Sequence, residues 1–303
     1  MKIFDTITFF NELDLLELRM NILGDEVDYF VINEAPITFT GKKKPLIFAE
    51  NRERFAKWED KIIHHVVEDD GGSLEKYWTG VPYHRDMIGE GINKLPLHYQ
   101  RACFHKDSAI YALLEHAKDE DIIFTSDADE IANPRIIRPF IEEIYSPDRH
   151  YVTVGPVYYY YLNLLCEKEW MGTRICSMKM LKTMSVDALR QSHEHAFRIM
   201  NAQWHWSFFG DADTVRAKMD AYEHQENNLP QFRDSMEERI AKGVDPFGRD
   251  YLYKPETVKI DHTFPDYIVE NQDKLTKWIK DDLSLIHISE PTRRYAISYG
   301  VFC

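Results

Sequence analysis

The sequence has few cysteines and few basic residues, and both shortages exclude classes of protein. Its four cysteines form no CxxC pair and no Cys/His spacing suited to zinc. A disulfide framework is therefore not expected, and a reducing compartment fits. Lysine and arginine number 37 against 51 aspartate and glutamate residues, which gives a net charge of −14. That charge argues against general binding to nucleic acids or anionic membranes, because both require basic faces.

Long apolar segments are lacking as well. No run approaches the roughly 20 apolar residues of a membrane-spanning helix. The opening "MKIFDTITFF" is interrupted by Asp5, and no small-residue cleavage site follows it. It therefore predicts a strand and not a signal peptide. We expect a cytoplasmic protein without a membrane span, which leaves peripheral association with a membrane open.

The residues that are present predict a folded α/β domain. Hydrophobic residues make up 44% of the chain and aromatic residues 13%, as in globular proteins. Residues 3–10 predict a strand, and residues 11–24 a helix that Asn11 can cap. "VDYFVINEA" (27–35) predicts a second strand that ends at Glu34. Strand, helix and strand in this order open a right-handed parallel unit.

Strands and helices continue to alternate along the chain. We expect strands at 61–69, 121–126 and, as a pair, 151–165, with helices at 99–117, 211–224 and 265–279. Residues 69–96 are rich in glycine and proline and predict a surface excursion. With no internal repeat and no low-complexity linker, these elements predict one α/β domain. Its central sheet should be mostly parallel and flanked by helices.

The end of the chain, residues 283–303, resembles a translated sequencing adapter. The segment "LSLIHISEPTR" matches the translated adapter end residue for residue, and "ISYGVFC" differs from the translation of a following adapter at one residue. A natural strand-rich terminus is the alternative, and it leaves this agreement to chance. We expect residues 1–282 to form the domain and the tail to take no part in the fold.

One predicted strand ends in three acids. In "DIIFTSDADEI" the apolar run Ile122–Phe124 is followed by Asp127, Asp129 and Glu130. Carboxylates this close repel one another unless a cation offsets their charge. Ligands of open α/β sheets bind at the carboxyl ends of strands, and paired carboxylates suit Mg²⁺ or Mn²⁺ that also binds substrate phosphates. An Asp-rich turn that caps the next helix is the alternative.

Several separated segments resemble the glycosyltransferases of family 17. They are, in the family's order, "FFNELDLLELRMNILGDEVDYFVINEAPITFTGKKKPLIF", "HYQR", "DIIFTSDADEI", "WHWSFFG", "AYEHQE" and "DHTFPDYIVEN". Together they span nearly all of residues 1–280, so the resemblance is far more specific than a DxD alone. The chain departs from the family where Ala132 and Asn133 precede Pro134, which we expect to affect the start of a helix more than the metal site. Animal members carry an N-terminal membrane anchor that this chain lacks, so a Golgi location is not expected.

The resemblance implies a GT-A-type fold, in which a Rossmann-like sheet binds a nucleotide sugar. The ends of the first two strands and the DxD would then meet along one edge. Asn11 and Glu34 would face the nucleoside, with Glu34 an acceptor for the ribose or base, although a solvated strand end is the simpler role. Arg101, in "HYQR", would meet the diphosphate or bind Asp127, and a structural ion pair is equally compatible.

The same resemblance implies a metal site at the DxD. Asp127 and Asp129 would bind Mn²⁺ or Mg²⁺ beside the diphosphate of a UDP-sugar. Because a late histidine often completes the metal site in GT-A enzymes, His262 is the expected third ligand.

Transfer to a hydroxyl requires a general base. Its candidates in the later part of the chain are Asp211, Asp213, His224 and Glu226. We favour Glu226, in "HQE" just beyond a predicted helix, and place Asp213 second. Asp211 and Asp213 form another DxD, which mainly predicts an N-cap.

The segment "WHWSFFG" offers a surface for a sugar. Trp204 and Trp206, with His205 between them, would form a stacking wall for substrate. A lone histidine among aromatic residues is, however, more often a hydrogen-bonded core residue.

These patterns together predict a metal-dependent, inverting glycosyltransferase. It would move N-acetylglucosamine from a UDP-sugar to a hydroxyl of a glycan or glycoconjugate. A nucleotidyltransferase of sugar phosphates shares the sheet and the metal, but the first turn has no glycine-rich phosphate loop with a signature lysine. A non-catalytic carbohydrate-binding protein would explain the tryptophans without needing acids at a strand end.

Overall fold

A computed structural model describes residues 1–74, 95–192, 195–249 and 254–281. The strands of this part are β1 (Ile3–Phe9), β2 (Tyr29–Glu34), β3 (Ile62–Val66), β4 (Ile122–Asp127), β5 (Glu130–Ala132), β6 (Tyr151–Tyr159), β7 (Leu164–Ser177), β8 (Phe197–Ile199), β9 (Gln203–Ser207) and β10 (Glu256–Thr257).

The helices alternate with these strands along most of the chain. They are α1 (Leu13–Leu23), α2 (Ile47–Glu50), α3 (Leu97–His116), α4 (Pro134–Glu143), α5 (Met178–Leu181), α6 (Val186–Gln191), α7 (Ala212–Ala221), α8 (Pro230–Asp234), α9 (Met236–Lys242) and α10 (Asp266–Glu270). Short 3₁₀ segments lie at Arg52–Lys61, Gln225–Asn227, Gln272–Lys274 and Thr276–Trp278.

The strands form one large sheet in the order β3-β2-β1-β4-β7-β6-β9-β5, with β10 beside β7 and β8 beside β6. The four strands β3, β2, β1 and β4 are mutually parallel, and β7 joins β4 in the antiparallel direction. β1 and β4 are neighbours although they are far apart in sequence, so the chain crosses over between them. The expected α/β fold, with a Rossmann-like central sheet flanked by helices, is confirmed.

Alternation of side chains explains why the parallel strands are buried on both faces. In β4, Ile122 and Phe124 belong to one apolar cluster, whereas Ile123 belongs to another. The first cluster includes α1 and α4, and the second includes α3, α5 and α6. A continuous apolar run is what a strand covered by helices on both sides requires.

Local capping chemistry sets two helix starts that bear on the site. α1 begins at Leu13, and Glu12 precedes it, so the expected side-chain cap by Asn11 is not formed. α4 begins at Pro134, and the Asn133 side chain accepts from the backbone N–H of Arg135. The departure from the family after "DADEI" therefore supplies the cap and first residue of a helix.

Some predicted elements have different bounds. The pair expected at 151–165 extends to Ser177, because β7 is a long partner of β6, and β5, β8 and β9 were not predicted. The helix expected at 265–279 is the short α10 followed by two 3₁₀ turns. Most of the predicted excursion and all of the adapter-like tail lie outside the described residues.

No helix in the described ranges is long and apolar enough to cross a bilayer.

Candidate functional site

A cavity of about 350 Å³ opens where the parallel strands end. Its walls include Phe9 at the end of β1 and Phe10 after it, Asn33 near the end of β2, and the segment 127–130 that leads from the end of β4 into β5. The strand order places β1 and β4 side by side, while the chain leaves β1 toward β2. This is a topological switch point, where open α/β sheets bind their ligands.

The first acid of the DxD, Asp127, is held by an arginine. Arg190 of α6 donates to Asp127 Oδ2 at 2.7 Å and to Glu130 Oε2 at 2.9 Å. Burial raises the pKa of Asp127, and the opposing positive charges of Arg190 and Lys106 do not cancel that effect. Burial also acts to raise the pKa of Glu130, but Arg190 outweighs it and lowers the value to about 2.

The second acid, Asp129, is held by a lysine and a histidine. Lys218 Nζ lies 2.6 Å from Asp129 Oδ2, and His205 Nε2 lies 3.5 Å from Oδ1. Burial would raise the pKa of Asp129, but these two cations hold it far below its ordinary value. Burial would lower the pKa of His205, and the Asp129 carboxylate instead raises it. Asp129 is thus an ionised carboxylate with a cationic partner.

The turn that carries both acids is held in place by Arg19 of α1. This fully buried guanidinium donates to the carbonyl oxygens of Asp127, at 3.2 Å, and Glu130, at 2.7 Å. It also donates to Ser126 Oγ at 2.6 Å. Asp5 on β1 balances its charge through two short hydrogen bonds. The carbonyl groups therefore face the sheet, and the two carboxylates are left to the cavity side.

Basic side chains line the cavity together with the acidic ones. Lys106 of α3 and Lys218 of α7 both line it, and so does Lys44. Lys106 lies 3.3 Å from Glu223, and Lys218 contacts Asp129 as described. Burial opposes the charged form of both lysines, yet the neighbouring carboxylates raise the pKa of each. Two half-buried, charged ammonium groups at one end of a cavity suit the phosphates of a nucleotide.

The donor atoms of the DxD suit a hard divalent cation. Asp127 and Asp129 supply hard oxygen ligands, which fit Mg²⁺ or Mn²⁺ held by one or two carboxylates and by substrate phosphates. Across the described ranges no third His, Cys, Asp or Glu completes a metal-binding group with them. The pair therefore fits a metal that binds together with the nucleotide, in competition with Lys218 and Arg190.

The residues predicted for the nucleoside lie next to the cavity and do not line it. Glu34 is fully buried and accepts from the Phe48 backbone N–H at 2.9 Å, with His64 at 3.0 Å and Lys44 at 3.4 Å. Asn11 is half-buried beside the cavity residues on either side of it in sequence. Asn33, one position before Glu34, is the polar β2 side chain at the cavity wall.

Arg101 forms the structural ion pair that was the alternative role for it. Its Nε donates to Asp69 Oδ2 at 2.9 Å, and the side chain is buried. His105, one turn further along α3, contacts the same carboxylate at 2.8 Å. The guanidinium therefore supports the loop after β3 and is not the partner of Asp127, which is Arg190.

The segment "WHWSFFG" divides between the core and the cavity. Trp204 and Trp206 are buried in the main apolar cluster and stack with ring centroids 6.1 Å apart. Their indole N–H groups donate to the carbonyls of Thr263 and Leu162. His205 points to the other face of β9, as the alternation of strand side chains requires, and lines the cavity. In place of the expected tryptophan wall, one histidine is at the site.

His262 lies on the opposite side of β9 from the acids. The Trp204 side chain, which points away from the cavity, bonds the carbonyl of the neighbouring residue Thr263. The carbonyl of His262 accepts from Arg135 of α4 at 2.5 Å. Its imidazole is exposed and does not line the cavity. The structure does not bring His262 to Asp127 and Asp129.

The two predicted bases are exposed. Glu226 accepts from Tyr99 Oη at 3.0 Å and contacts His224 Nδ1 at 2.8 Å. The Asp213 side chain is 95% exposed and pairs with Arg216 on the solvent side of α7. Neither lines the cavity, although His224 does. Their catalytic roles stay predictions. Asp211 is the N-cap of α7, as predicted.

Several residues that line the cavity or hold its acids were not found from the sequence. Lys218, Arg190 and Lys106 lie on helices whose faces could be predicted, but their partners are distant in sequence. Trp170 is 41% exposed, donates to Glu130 Oε1 at 3.1 Å and lies beside the His205 ring. Glu167 precedes it on β7 and also lines the cavity. The charged residues near the start of β7 followed no sequence pattern that would have indicated a site.

The sequence of the chain matches one protein family over most of its length. A family model described as "Glycosyltransferase family 17" matches residues 1–274. The chain is similar to the beta-1,4-mannosyl-glycoprotein 4-beta-N-acetylglucosaminyltransferases of Rattus norvegicus and Homo sapiens, at 25% identity over 134 residues in each case. That alignment covers 43% of this chain and 21% or 22% of the relatives. The chain therefore spans about a fifth of the length of these curated relatives.

Two of the solved structures that match this chain do so with low identity and low TM-scores. HddC from Yersinia pseudotuberculosis complexed with GMP-PN matches at 11% identity with a TM-score of 0.32, covering 68% of this chain and 89% of its own. The inositol-1-phosphate CTP transferase from T. maritima matches at 10% identity with a TM-score of 0.35, covering 81% and 98%. Neither likeness bears on function. The family model, in contrast, spans most of the described residues, and the chain belongs to glycosyltransferase family 17.

Proposed function

We propose that the protein is a metal-dependent, inverting glycosyltransferase that moves N-acetylglucosamine from a UDP-sugar to a hydroxyl of a glycan or glycoconjugate. The observation that carries this proposal is the pair Asp127 and Asp129 at the carboxyl end of β4, facing a cavity with two charged lysines. Membership of the family supports sugar transfer as the chemistry. The donor, the metal and the stereochemistry are our inference.

The cavity has the parts that a nucleotide sugar needs. Phe9 and Phe39 offer apolar surface for the base. Lys106 and Lys218 lie at the end next to the DxD, where a diphosphate would be neutralised. This order places the nucleoside at β1 and β2 and the phosphates at β4.

The acids at β4 would hold the metal. Asp127 and Asp129 would bind Mn²⁺ or Mg²⁺, which when bound supplies positive charge to the departing diphosphate. Arg190 and Lys218 keep both carboxylates in place, and Arg19 fixes the backbone that carries them. His262 remains a prediction as a third ligand, and its exposed position beside α4 does not support it.

The sugar and its acceptor would lie beyond the DxD. Trp170 presents an exposed ring next to His205, which suits contact with the apolar face of a sugar. His205 Nδ1 is buried without a hydrogen-bond partner among the described residues, and a ligand hydroxyl would satisfy it. The names of the relatives suggest a mannose-containing glycoprotein glycan as acceptor.

A nucleotidyltransferase of sugar phosphates is the second candidate. It would use the same sheet edge, acids and cations, but its leaving group would be pyrophosphate. A non-catalytic carbohydrate-binding protein is the third, and it gives no reason for ionised carboxylates and lysines at a phosphate-sized end of the cavity. The family match favours transfer of a sugar over both.

The experiment measures UDP release from a panel of UDP-sugars, with and without Mn²⁺, in the wild type and in Asp129→Ala. We expect slow, Mn²⁺-dependent release from UDP-N-acetylglucosamine that is lost in the variant. Asp148→Asn, at an aspartate that is 80% exposed, is the matched control and should behave as the wild type.

Release of pyrophosphate from a nucleoside triphosphate and sugar phosphate, without UDP release, would favour the nucleotidyltransferase. Folded protein that neither releases UDP nor binds it with metal present would contradict the transferase proposal. Chromatography of the sugar product on a mannose-containing glycan, with the anomeric configuration read by NMR, would then test inversion.

A further inference from the structure

The proposed transfer needs a base, and the cavity contains six carboxylates among the described residues: Glu12, Asp127, Asp129, Glu130, Glu167 and Glu223. Five of them are already bound. Glu12 accepts from the backbone N–H groups of Phe10 and Asn11, both at 3.0 Å. Arg190 binds Asp127 and Glu130, Lys218 binds Asp129, and Lys106 binds Glu223. Asp127 and Asp129 are in addition the proposed metal ligands, and a carboxylate whose oxygens already accept from cations or backbone N–H groups is less available to an acceptor hydroxyl.

Glu167 is the sixth, and its side chain forms no hydrogen bond or ion pair with any described residue. It lies near the start of β7, half-buried, on the wall of the cavity. Burial raises its pKa, while His205 opposes the change. A carboxyl group that lines the cavity without a bound cation, and whose pKa is raised, is a better proton acceptor than one paired with a lysine or arginine.

The sheet places Glu167 on the same face as His205, the histidine that contacts Asp129. Val157 of β6 pairs with Glu167 on one side and with His205 of β9 on the other. Residues that are paired across neighbouring strands point to the same face, and all three line the cavity. Two strand spacings, about 10 Å, therefore separate Glu167 from the histidine that contacts Asp129. A sugar bound at the DxD would lie between them.

We propose that Glu167 is the general base of the transfer, an assignment that rests on the proposed function. The acceptor hydroxyl gives its proton to the Glu167 carboxylate as its oxygen forms a bond to the anomeric carbon. The bond from that carbon to the diphosphate breaks, and its electron pair leaves with UDP beside Lys106 and Lys218. Attack from the side of Glu167, opposite the diphosphate, inverts the anomeric centre.

The location separates Glu167 from the sequence-based candidates. Glu226 is 55% exposed and shared between Tyr99 and His224, outside the cavity wall. Asp213 points into solvent on α7. For either to act as the base, the segment that carries it would have to move toward the cavity.

The test compares Glu167→Gln with Glu226→Gln and with Glu169→Gln, a matched control at an exposed glutamate of the same strand. For each we would measure kcat and KM for UDP release from UDP-N-acetylglucosamine, and the affinity for UDP by calorimetry. We expect kcat of Glu167→Gln to fall roughly 100-fold or more, with UDP affinity unchanged and Glu169→Gln equal to the wild type. Retained UDP affinity also shows that the variant is folded.

A second variant separates chemistry from structure. Glu167→Ala leaves space on the cavity wall, and added formate can take the place of the lost carboxylate. We expect formate to restore part of kcat in Glu167→Ala and to leave Glu167→Gln unchanged, which a structural role would not produce.

Three results would overturn the assignment. In the first, the wild type is active and the Glu167→Gln variant keeps more than about a tenth of its kcat. Removal of a general base should instead lower kcat roughly 100-fold or more. In the second, Glu226→Gln alone loses activity. The third is a wild type that binds no UDP and releases none, in which case the proposed function fails and the base fails with it.

Discussion

The Arg19 guanidinium of α1 bonds both carboxylate oxygens of Asp5 and, through another nitrogen, the carbonyl of Glu130. Both side chains are fully buried. One arginine therefore joins the first helix, the first strand and the turn that carries the DxD. A buried ion pair is weak evidence for stability in itself, but its single-partner variants leave an uncompensated charge in the core.

Asp5→Asn should reduce the free energy of unfolding by about 3–5 kcal/mol, because it leaves the Arg19 charge buried without a counter-charge. Urea denaturation followed by circular dichroism measures this loss. Arg52→Ala is the control, since Arg52 and Glu59 form an exposed pair whose removal should cost less than about 1 kcal/mol. Equal small losses in the two variants would contradict a structural role for the buried pair.

Replacing the whole pair should separate stability from donor binding. In Asp5→Leu/Arg19→Met no buried charge remains, so we expect the double variant to recover most of the stability that Asp5→Asn loses. It should still bind UDP at least about tenfold more weakly, because the carbonyls of the DxD turn lose a charged donor. Wild-type UDP affinity in a stable double variant would show that the turn holds its shape without Arg19.

Stability should also depend on pH through His105. This histidine is buried against Asp69, and burial lowers its pKa, with the charges of Arg101 and Lys44 acting in the same direction and Asp69 opposing them. The histidine of the unfolded chain has a pKa near 6.5, so it binds a proton at a higher pH than the buried histidine of the native state does. The contribution is fully present above that value and is lost as pH falls toward the lower folded pKa, by up to about 1.4 kcal/mol per pH unit.

Urea unfolding between pH 7 and 5 would measure this dependence. His105→Gln keeps a donor for Asp69 and does not titrate, so its free energy of unfolding should change less steeply than that of the wild type. His116→Gln, at the exposed end of the same helix, is the control and should follow the wild type. Parallel curves for wild type and His105→Gln would rule out the buried histidine as the cause.

The part of the site that depends on residues adjacent in sequence could be predicted. Asp127 and Asp129 could be placed because they directly follow an apolar strand, and the position of a strand end depends on neighbouring residues. Arg190 and Lys218 could not, because they reach these acids from helices 63 and 89 positions away. When the partner of a charged residue is distant in sequence, no local pattern of residues identifies it.

The two tryptophans show a second reason why the predicted and the observed site residues differ. Trp204 and Trp206 share one face of β9, and His205 takes the other. The segment was not predicted as a strand, so the alternation that separates these side chains was not applied to it. Glu226 was favoured because it follows a helix end, and nothing in its neighbours indicated that Tyr99, from α3, would bind it.

The extent of the domain can be tested by truncation. If residues 283–303 take no part in the fold, a chain that ends at Asp282 should unfold at the same temperature as the full chain, measured by calorimetry. A clear loss of stability on truncation would show that the tail packs on the domain.

The ion pair between Lys218 and Asp129 leads to the last prediction. The ammonium group lies 2.6 Å from the carboxylate that would bind a metal, so lysine and metal compete for it. Without nucleotide, Lys218→Met should therefore bind Mn²⁺ more tightly than the wild type. With nucleotide the same variant should bind UDP roughly ten- to hundredfold more weakly, because the diphosphate loses a charged donor.

Calorimetric titration with Mn²⁺ alone and with UDP alone measures both effects. Lys218→Arg keeps the charge and should resemble the wild type in the Mn²⁺ titration, and Lys242→Met removes an exposed lysine that pairs with Glu238. Opposite shifts for metal and nucleotide in Lys218→Met would mean that one lysine neutralises Asp129 in the free protein and the diphosphate in the complex. A decrease in both affinities would instead mean that Lys218 only holds Asp129 in position, and that the competition does not occur.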